Sequence, residues 1–162
     1  VPDVGKSFIS LNLAASLAAK GRRVLLVDGD RRRGRLAQKL KLKGSKIETP
    51  LETRQGFSFV QAPEVEAHDQ YFQDYDIVLV DSPPILVTAD AAAWLDHVDL
   101  VTLVAWSGRQ TAAELIEAQR RFEQLGANVG GWVLNGVSAS TVGYQPYREY
   151  GFGSSYDAYR RA

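Results

Sequence analysis

The sequence has no cysteine and no methionine. Without thiols there is no disulfide and no Cys-ligated metal, and a reducing compartment suits the chain. No apolar run approaches the roughly 18 residues that a membrane-spanning helix needs. No signal-peptide pattern is visible. Net charge is missing too: 19 Lys and Arg balance 19 Asp and Glu, and no nucleic-acid partner is expected from so neutral a total. With no Met, Val1 does not read as a native start, so the expectation is a piece excised from a longer chain. What is present is ordinary for one globular domain with a sizeable core: 162 residues, 45% hydrophobic and 23% charged.

The charge that cancels in total is unevenly placed. From Lys20 to Lys46 the chain carries Arg22, Arg23, Arg31, Arg32, Arg33, Arg35, Lys39, Lys41 and Lys43, opposed only by Asp28 and Asp30. Such a segment fits a polyphosphate or an acidic partner, and equally a solvated basic face.

Hydrophobic periodicity gives an α/β pattern. A helix is predicted over 5–20, with Phe8, Leu11, Ala14, Ala15 and Ala18 on one face and Gly21 as its stop. Residues 23–28 (R-V-L-L-V-D) read as a strand covered on both faces, as in a parallel sheet, and 76–81 (D-I-V-L-V-D) as a buried strand, the clearest in the chain. Further strands are expected over 57–61, 98–105 and 129–135. Helices are expected over 34–42, 64–73, 89–95 and 110–125, the last with Leu115, Ala118, Phe122 and Leu125 in register. Residues 44–54, with Pro50, read as a loop. Trp94, Trp106 and Trp132 read as core.

Chemistry concentrates at the start. Gly5-Lys6-Ser7 opening a helix is the second half of G-x-x-x-x-G-K-[ST]. Gly5 lets a phosphate approach the backbone, and the helix N-terminus favours an anion. Lys6 suits β/γ-phosphates and the Ser7 hydroxyl suits Mg²⁺. Asp28 and Asp30 end one strand and Asp81 ends another. Strand carboxyl ends are where open α/β sheets bind ligands, and paired carboxylates there suit Mg²⁺ and phosphoryl transfer. Singly, each Asp is as readily a turn residue or a helix cap.

The tail contrasts with this. Tyr144, Tyr147, Tyr150, Tyr156 and Tyr159 are separated by Gly143, Gly151, Gly153, Ser154 and Ser155. No apolar pattern accompanies them, so the expectation is a flexible tail of accessible hydroxyls; a sticky aromatic tail or a peptide-binding strip are the other readings.

Three segments, V-G-K-S-F at 4–8, L-L-V-D-G-D-R-R-R-G at 25–34 and Y-D-I-V-L-V-D-S-P-P at 75–84, together with V-L-N-G-V at 133–137 and the tyrosine cluster, resemble the bacterial tyrosine kinases of capsule and exopolysaccharide assembly. The first three are similar to that family's Walker A, A′ and B motifs. The resemblance implies a P-loop NTPase fold: a mostly parallel sheet flanked by helices. It divides the chain into a kinase domain over 1–142 and a tyrosine-rich tail over 143–162. The domain would start inside Walker A, its first strand and the upstream oligomer-contact helix absent, and the 41–74 link is shorter than in the family. The expectation that follows is a chain that alone binds ATP poorly and is marginally stable.

The implied cofactors are ATP and Mg²⁺. Gly5, Lys6, Ser7 and Phe8 would hold the nucleotide, with Asn135 at its adenine. Ser7, Asp28 and Asp81 would hold Mg²⁺. Lys6, Asp28, Asp30 and Asp81 would be catalytic, Asp28 as base toward a tyrosine hydroxyl. Tyr144, Tyr147, Tyr150, Tyr156 and Tyr159 would be phosphorylated by a neighbouring subunit in a ring. The implied setting is the cytoplasmic side of the bacterial inner membrane. The implied partners are a membrane adaptor (polysaccharide co-polymerase) segment and a protein-tyrosine phosphatase. The MinD/ParA group shares the A′ and B layout, as an ATP-driven dimerising switch. Its signature Lys falls where Val1 stands, and Pro2 and Asp3 replace its glycines. A nucleotide-free scaffold presenting the tail is the third reading.

Overall fold

The computed structural model describes residues 3–30, 35–42, 47–61, 72–82 and 94–137. In chain order the elements are α1 (Lys6–Ala19), β1 (Val24–Asp28), α2 (Arg35–Lys39), β2 (Leu51–Glu52), β3 (Ser58–Gln61), β4 (Ile77–Asp81), β5 (Val101–Trp106), α3 (Ala112–Gln124) and β6 (Val129–Asn135). A short 3₁₀ turn occupies 94–97. The strands form two sheets, ordered β2-β3-β1-β4 and β5-β6. All pairings are parallel except β2 with β3.

The helices end as their sequences dictate. Past α1, the Gly21 amide donates to the Ala18 carbonyl and the Arg22 amide to Leu17. Past α3, the Gly126 amide donates to Glu123 and the Ala127 amide to Phe122. Both are paired Schellman-type closures around a glycine at positive φ. At the start of α3, Thr111 and Glu114 form a reciprocal capping box.

The core sits on the two faces of β1. Val24 and Leu26 join Ala14, Leu36, Ala37, Ile47, Phe57 and Phe59 on the face that α1 and α2 cover. Leu25 and Val27 join Val60 and Trp94 on the other. Alternate residues of a strand point to opposite faces, so a run apolar at every position is buried on both. Burial of each such Leu or Val stabilises the fold by about 2 kcal/mol.

Five expectations need correction. The stretch 44–54 is not all loop, because Leu51–Glu52 pairs with Phe59 and Ser58 as the antiparallel edge strand β2. Phe8 does not share the core face of α1; its side chain is 58% exposed, whereas Leu11, Ala15 and Ala18 pack inward. Leu125 lies outside the buried stripe of α3, since the helix ends at Gln124 and Leu125 serves as its exposed C-cap. Trp132 is exposed rather than core, its indole N–H donating to the Gln119 side chain across to α3. Residues 76–81 are not covered on both faces as 23–28 are: Ile77 to Val80 are only half-buried. β4 has β1 on one side and no strand among the described residues on the other. Most of the helix expected over 64–73, most of that over 89–95, and the boundary at 142/143 lie outside the described residues.

Candidate functional site

The site begins at the turn into α1. Gly5 adopts φ 89°, a left-handed conformation that an L side chain takes only with strain. It turns the chain so that the first amides of α1 face outward from the helix end. The first turn carries no acidic residue, so nothing of the helix's own neutralises the positive end of its dipole. Lys6 is the first helical residue. Burial pulls its pKa below the ordinary lysine value, and the charges of Asp81, Asp30 and Asp3 oppose that pull.

Opposite this turn lie the two strand ends. β1 and β4 are parallel and in register, with Val24 opposite Ile77 and Asp28 opposite Asp81. Both carboxylates therefore emerge side by side at the carboxyl edge of the sheet. They are 3% and 5% exposed, buried enough that ionisation is costly. Gly29, just past Asp28, donates its amide to the Asp81 carbonyl at 3.0 Å. A Cβ there would crowd the Trp94 indole and the Asp81 carbonyl. Glycine is what lets the two strand ends close up.

The two carboxylates are held differently. Asp28 accepts from the Asp30 amide at 3.2 Å and from the Leu36 amide at the start of α2. Its second oxygen, Oδ2, is buried without a hydrogen-bond partner among the described residues. Burial pushes the Asp28 carboxyl up to about 6, helped by the neighbouring Asp81 and Asp30 charges and opposed by the two amides. Asp81 is likewise raised by burial, but the Ser7 hydroxyl, Lys6, the Ser10 hydroxyl and Lys39 all favour its charged form. Ser10 Oγ lies 3.3 Å from Asp81 Oδ1.

Thus the fold brings Gly5, Lys6, Ser7, Asp28 and Asp81 together. Asp30 stands beside them, its amide on Asp28 and its charge acting on Lys6. Phe8 belongs to the same turn of sequence, but its ring is exposed. Asn135 also arrives, at the tip of β6, with its amide on the Val4 carbonyl at 3.1 Å. Tyr144, Tyr147, Tyr150, Tyr156 and Tyr159 lie outside the described residues, as does the Arg31–Gly34 run. Ser10 was missed by motif reading. The signal available was its spacing: it stands three residues after Ser7, so the two hydroxyls share one face of α1.

The carboxylate of Asp81 and the Ser7 hydroxyl, with Asp28 beside them, suit a hard divalent cation. Among the described residues no cluster of three or more His, Cys, Asp or Glu could enclose a metal ion. Mg²⁺ keeps several waters and uses one or two carboxylates with substrate phosphates.

Known proteins share this fold. Residues 3–150 match the CobQ/CobB/MinD/ParA nucleotide binding domain family. The kinase domain of the Escherichia coli tyrosine kinase ETK superposes with a TM-score of 0.78 at 30% identity, over 89% of this chain and 69% of that one. The chain belongs to the bacterial tyrosine-kinase family of these nucleotide-binding domains. EpsB of Ralstonia solanacearum, provisionally named a tyrosine-protein kinase, is 36% identical to the domain over 98% of its length. The domain spans 24% of that relative, so about a quarter of the curated protein it matches. The septum site-determining protein MinD of Pyrococcus horikoshii, solved with Mg-ADP, shares the P-loop fold at a TM-score of 0.70 and 18% identity, over 92% of this chain and 73% of that one. Among the described residues no helix is long and apolar enough to cross a membrane.

Proposed function

We propose that this domain transfers the γ-phosphoryl group of ATP to tyrosine hydroxyls, those of Tyr144, Tyr147, Tyr150, Tyr156 and Tyr159 on a neighbouring copy first. The observation that carries the proposal is the pairing of Asp28 with Asp81 beside Lys6 and Ser7, with Asp28 Oδ2 bare. Gly5 and the amides of the first turn of α1 cradle the phosphates, and Lys6 offsets their charge. Ser7 and Asp81 would hold Mg²⁺, with Asp81 fixed in turn by Ser10. The ion supplies charge neutralisation on the phosphates when bound.

Asp28 then faces the incoming phenol. As the tyrosine oxygen bonds to phosphorus and the bond to ADP breaks, the phenolic proton passes to Asp28 Oδ2. A carboxyl raised to about 6 is a stronger base than an ordinary aspartate and is still ionised at neutral pH. Asp30 supports Asp28 through its amide. In the whole protein the domain would serve polysaccharide polymerisation and export at the cytoplasmic face of the inner membrane, with an adaptor segment, a ring of copies and a reversing phosphatase.

Incubation of the intact protein with ATP and Mg²⁺, followed by mass spectrometry, should find phosphotyrosine within 144–159. Lys6→Ala should reduce it on the order of 10³-fold, the scale of losing a transition-state charge contact. Label that survives replacement of all five tyrosines by Phe would remove the tail as acceptor. Phosphate release without phosphotyrosine would make the domain an ATPase switch of the MinD kind. A Lys6→Ala protein indistinguishable from wild type would leave only a scaffold.

A further inference from the structure

Among the described residues the β5–β6 unit shares no hydrogen-bonded strand with the sheet that carries Asp28 and Asp81, yet its tips reach the phosphate loop at two consecutive carbonyls. Asn135, the last residue of β6, donates its side-chain amide to the Val4 carbonyl at 3.1 Å. Its own Oδ1 accepts from the Gly136 amide at 2.9 Å, which fixes which way the amide points. Arg109, just beyond β5, donates to the Asp3 carbonyl at 3.3 Å. The Arg109 guanidinium also stacks 4.6 Å from the centre of the Trp106 ring. Trp106 in turn packs on Gly136, where any Cβ would strike the indole. The Ser107 amide donates to the Asn135 carbonyl at 2.8 Å, so the two tips are tied to each other.

The loop they hold needs holding. Asp3 sits at φ 58° and Gly5 at φ 89°, two left-handed residues flanking buried Val4. Aspartate in that conformation is strained unless its surroundings fix it. A Cβ on Gly5 would collide with the Asn135 amide, so the glycine makes room for the contact as well as for the turn.

We propose that Asn135, with Arg109 and Trp106 behind it, is a latch that sets the phosphate-loop backbone. It acts as a positioning residue for the triphosphate rather than as a reader of the base. The proposal rests on the nucleotide reading above and deepens it. One N–H on the Val4 carbonyl and one Oδ1 lone pair on the Gly136 amide orient the loop for any triphosphate, with or without a base.

The test compares ATP, GTP and inorganic tripolyphosphate binding to the intact protein, wild type against Asn135→Leu, which keeps the shape and removes the donor. Affinity for all three should fall together, about three- to tenfold, the worth of one hydrogen bond. The ATP-to-GTP ratio should not change. A loss confined to ATP, with tripolyphosphate binding intact, would make Asn135 a base reader and overturn the latch.

Hydrogen exchange without ligand gives a second reading. The amides of residues 4–9 should exchange faster in Asn135→Leu; unchanged exchange there also overturns the latch. If Asn135→Leu does not fold, Asn135→Ser serves. Its hydroxyl can still accept from Gly136 but is too short to reach Val4, and both measurements are read the same way. Lys6→Ala separates the two proposals. Should it leave binding of all three ligands untouched, the nucleotide reading fails, while the exchange result still decides the latch.

Discussion

β1 and β4 end almost alike, V-L-L-V-D and I-V-L-V-D, and lie side by side in register. Their fates differ. Every residue of β1 is buried, whereas β4 is half-buried up to Asp81; among the described residues β1 has a strand on each side and β4 has one. The difference extends to the two aspartates. Asp28 meets backbone amides and keeps one oxygen bare. Asp81 meets hydroxyls and ammonium groups from α1 and α2. Identical residues at paired positions thus acquire separate surroundings from what the neighbouring helices bring to them, and the separate roles proposed for them, base and metal holder, rest on that difference.

The strongest way to break this comparison is to remove each carboxylate in turn. Asp28→Asn should lower tyrosine phosphorylation on the order of 10²- to 10⁴-fold, the span of losing a general base, with the Mg²⁺ midpoint unmoved. Asp81→Asn should instead raise the Mg²⁺ concentration needed for half-maximal activity. Titrating Mg²⁺ against initial rate for both variants decides the matter. Matching curves would mean that the two sites are not divided as described.

The next effect is on stability. The folded chain holds the Asp28 proton up to about 6, against 3.8 for an ordinary aspartate. The folded state therefore binds more protons across that window, and Asp28 makes the fold less stable as pH rises through it. Without nucleotide or Mg²⁺, Asp28→Asn should melt a few degrees above wild type past pH 6, on the order expected for about 1 kcal/mol. The gap should shrink toward pH 4. A gap independent of pH would show that the Asp28 charge is not its origin.

A smaller change sharpens the Asp81 side. Ser10→Ala removes one of the hydroxyls on Asp81 while Ser7 remains. The Mg²⁺ midpoint should move about two- to fivefold, less than in Asp81→Asn, in line with one modest hydrogen bond. The smallest effect lies at the far end of the same strand pair. Arg23 binds Asp76 there at 2.7 Å, with the arginine side chain 64% exposed. Exposed pairs contribute little and are screened, so Arg23→Ala should leave the thermal midpoint within experimental error.

Much of the fold is legible in the chain. Four-residue apolar runs, V-L-L-V and I-V-L-V, mark β1 and β4, the first because it is buried on both faces, and Gly21 and Gly126 stop α1 and α3 through closures the residue type permits. What periodicity misplaced, it misplaced for a reason. Phe8 has helical spacing with Leu11 and Ala15 but sits on the first turn, beyond the end of the core that covers α1. Trp132 alternates as a core residue should, yet β6 is an edge strand of a two-stranded sheet and leaves it partly open. Leu51–Glu52 is too short for any pattern to reveal.

Of the site, the sequence alone determined the inventory: Gly5-Lys6-Ser7 opening a helix, and Asp28 and Asp81 each closing an apolar strand. Those are local facts, fixed by which residues follow which. Only the tertiary structure decided that Asp28 and Asp81 are register partners, that Ser10 turns toward one of them and that Asn135 reaches Val4 from 131 positions away. Such meetings depend on strand order and helix rotation, which are set by packing the whole core and are written in no single segment.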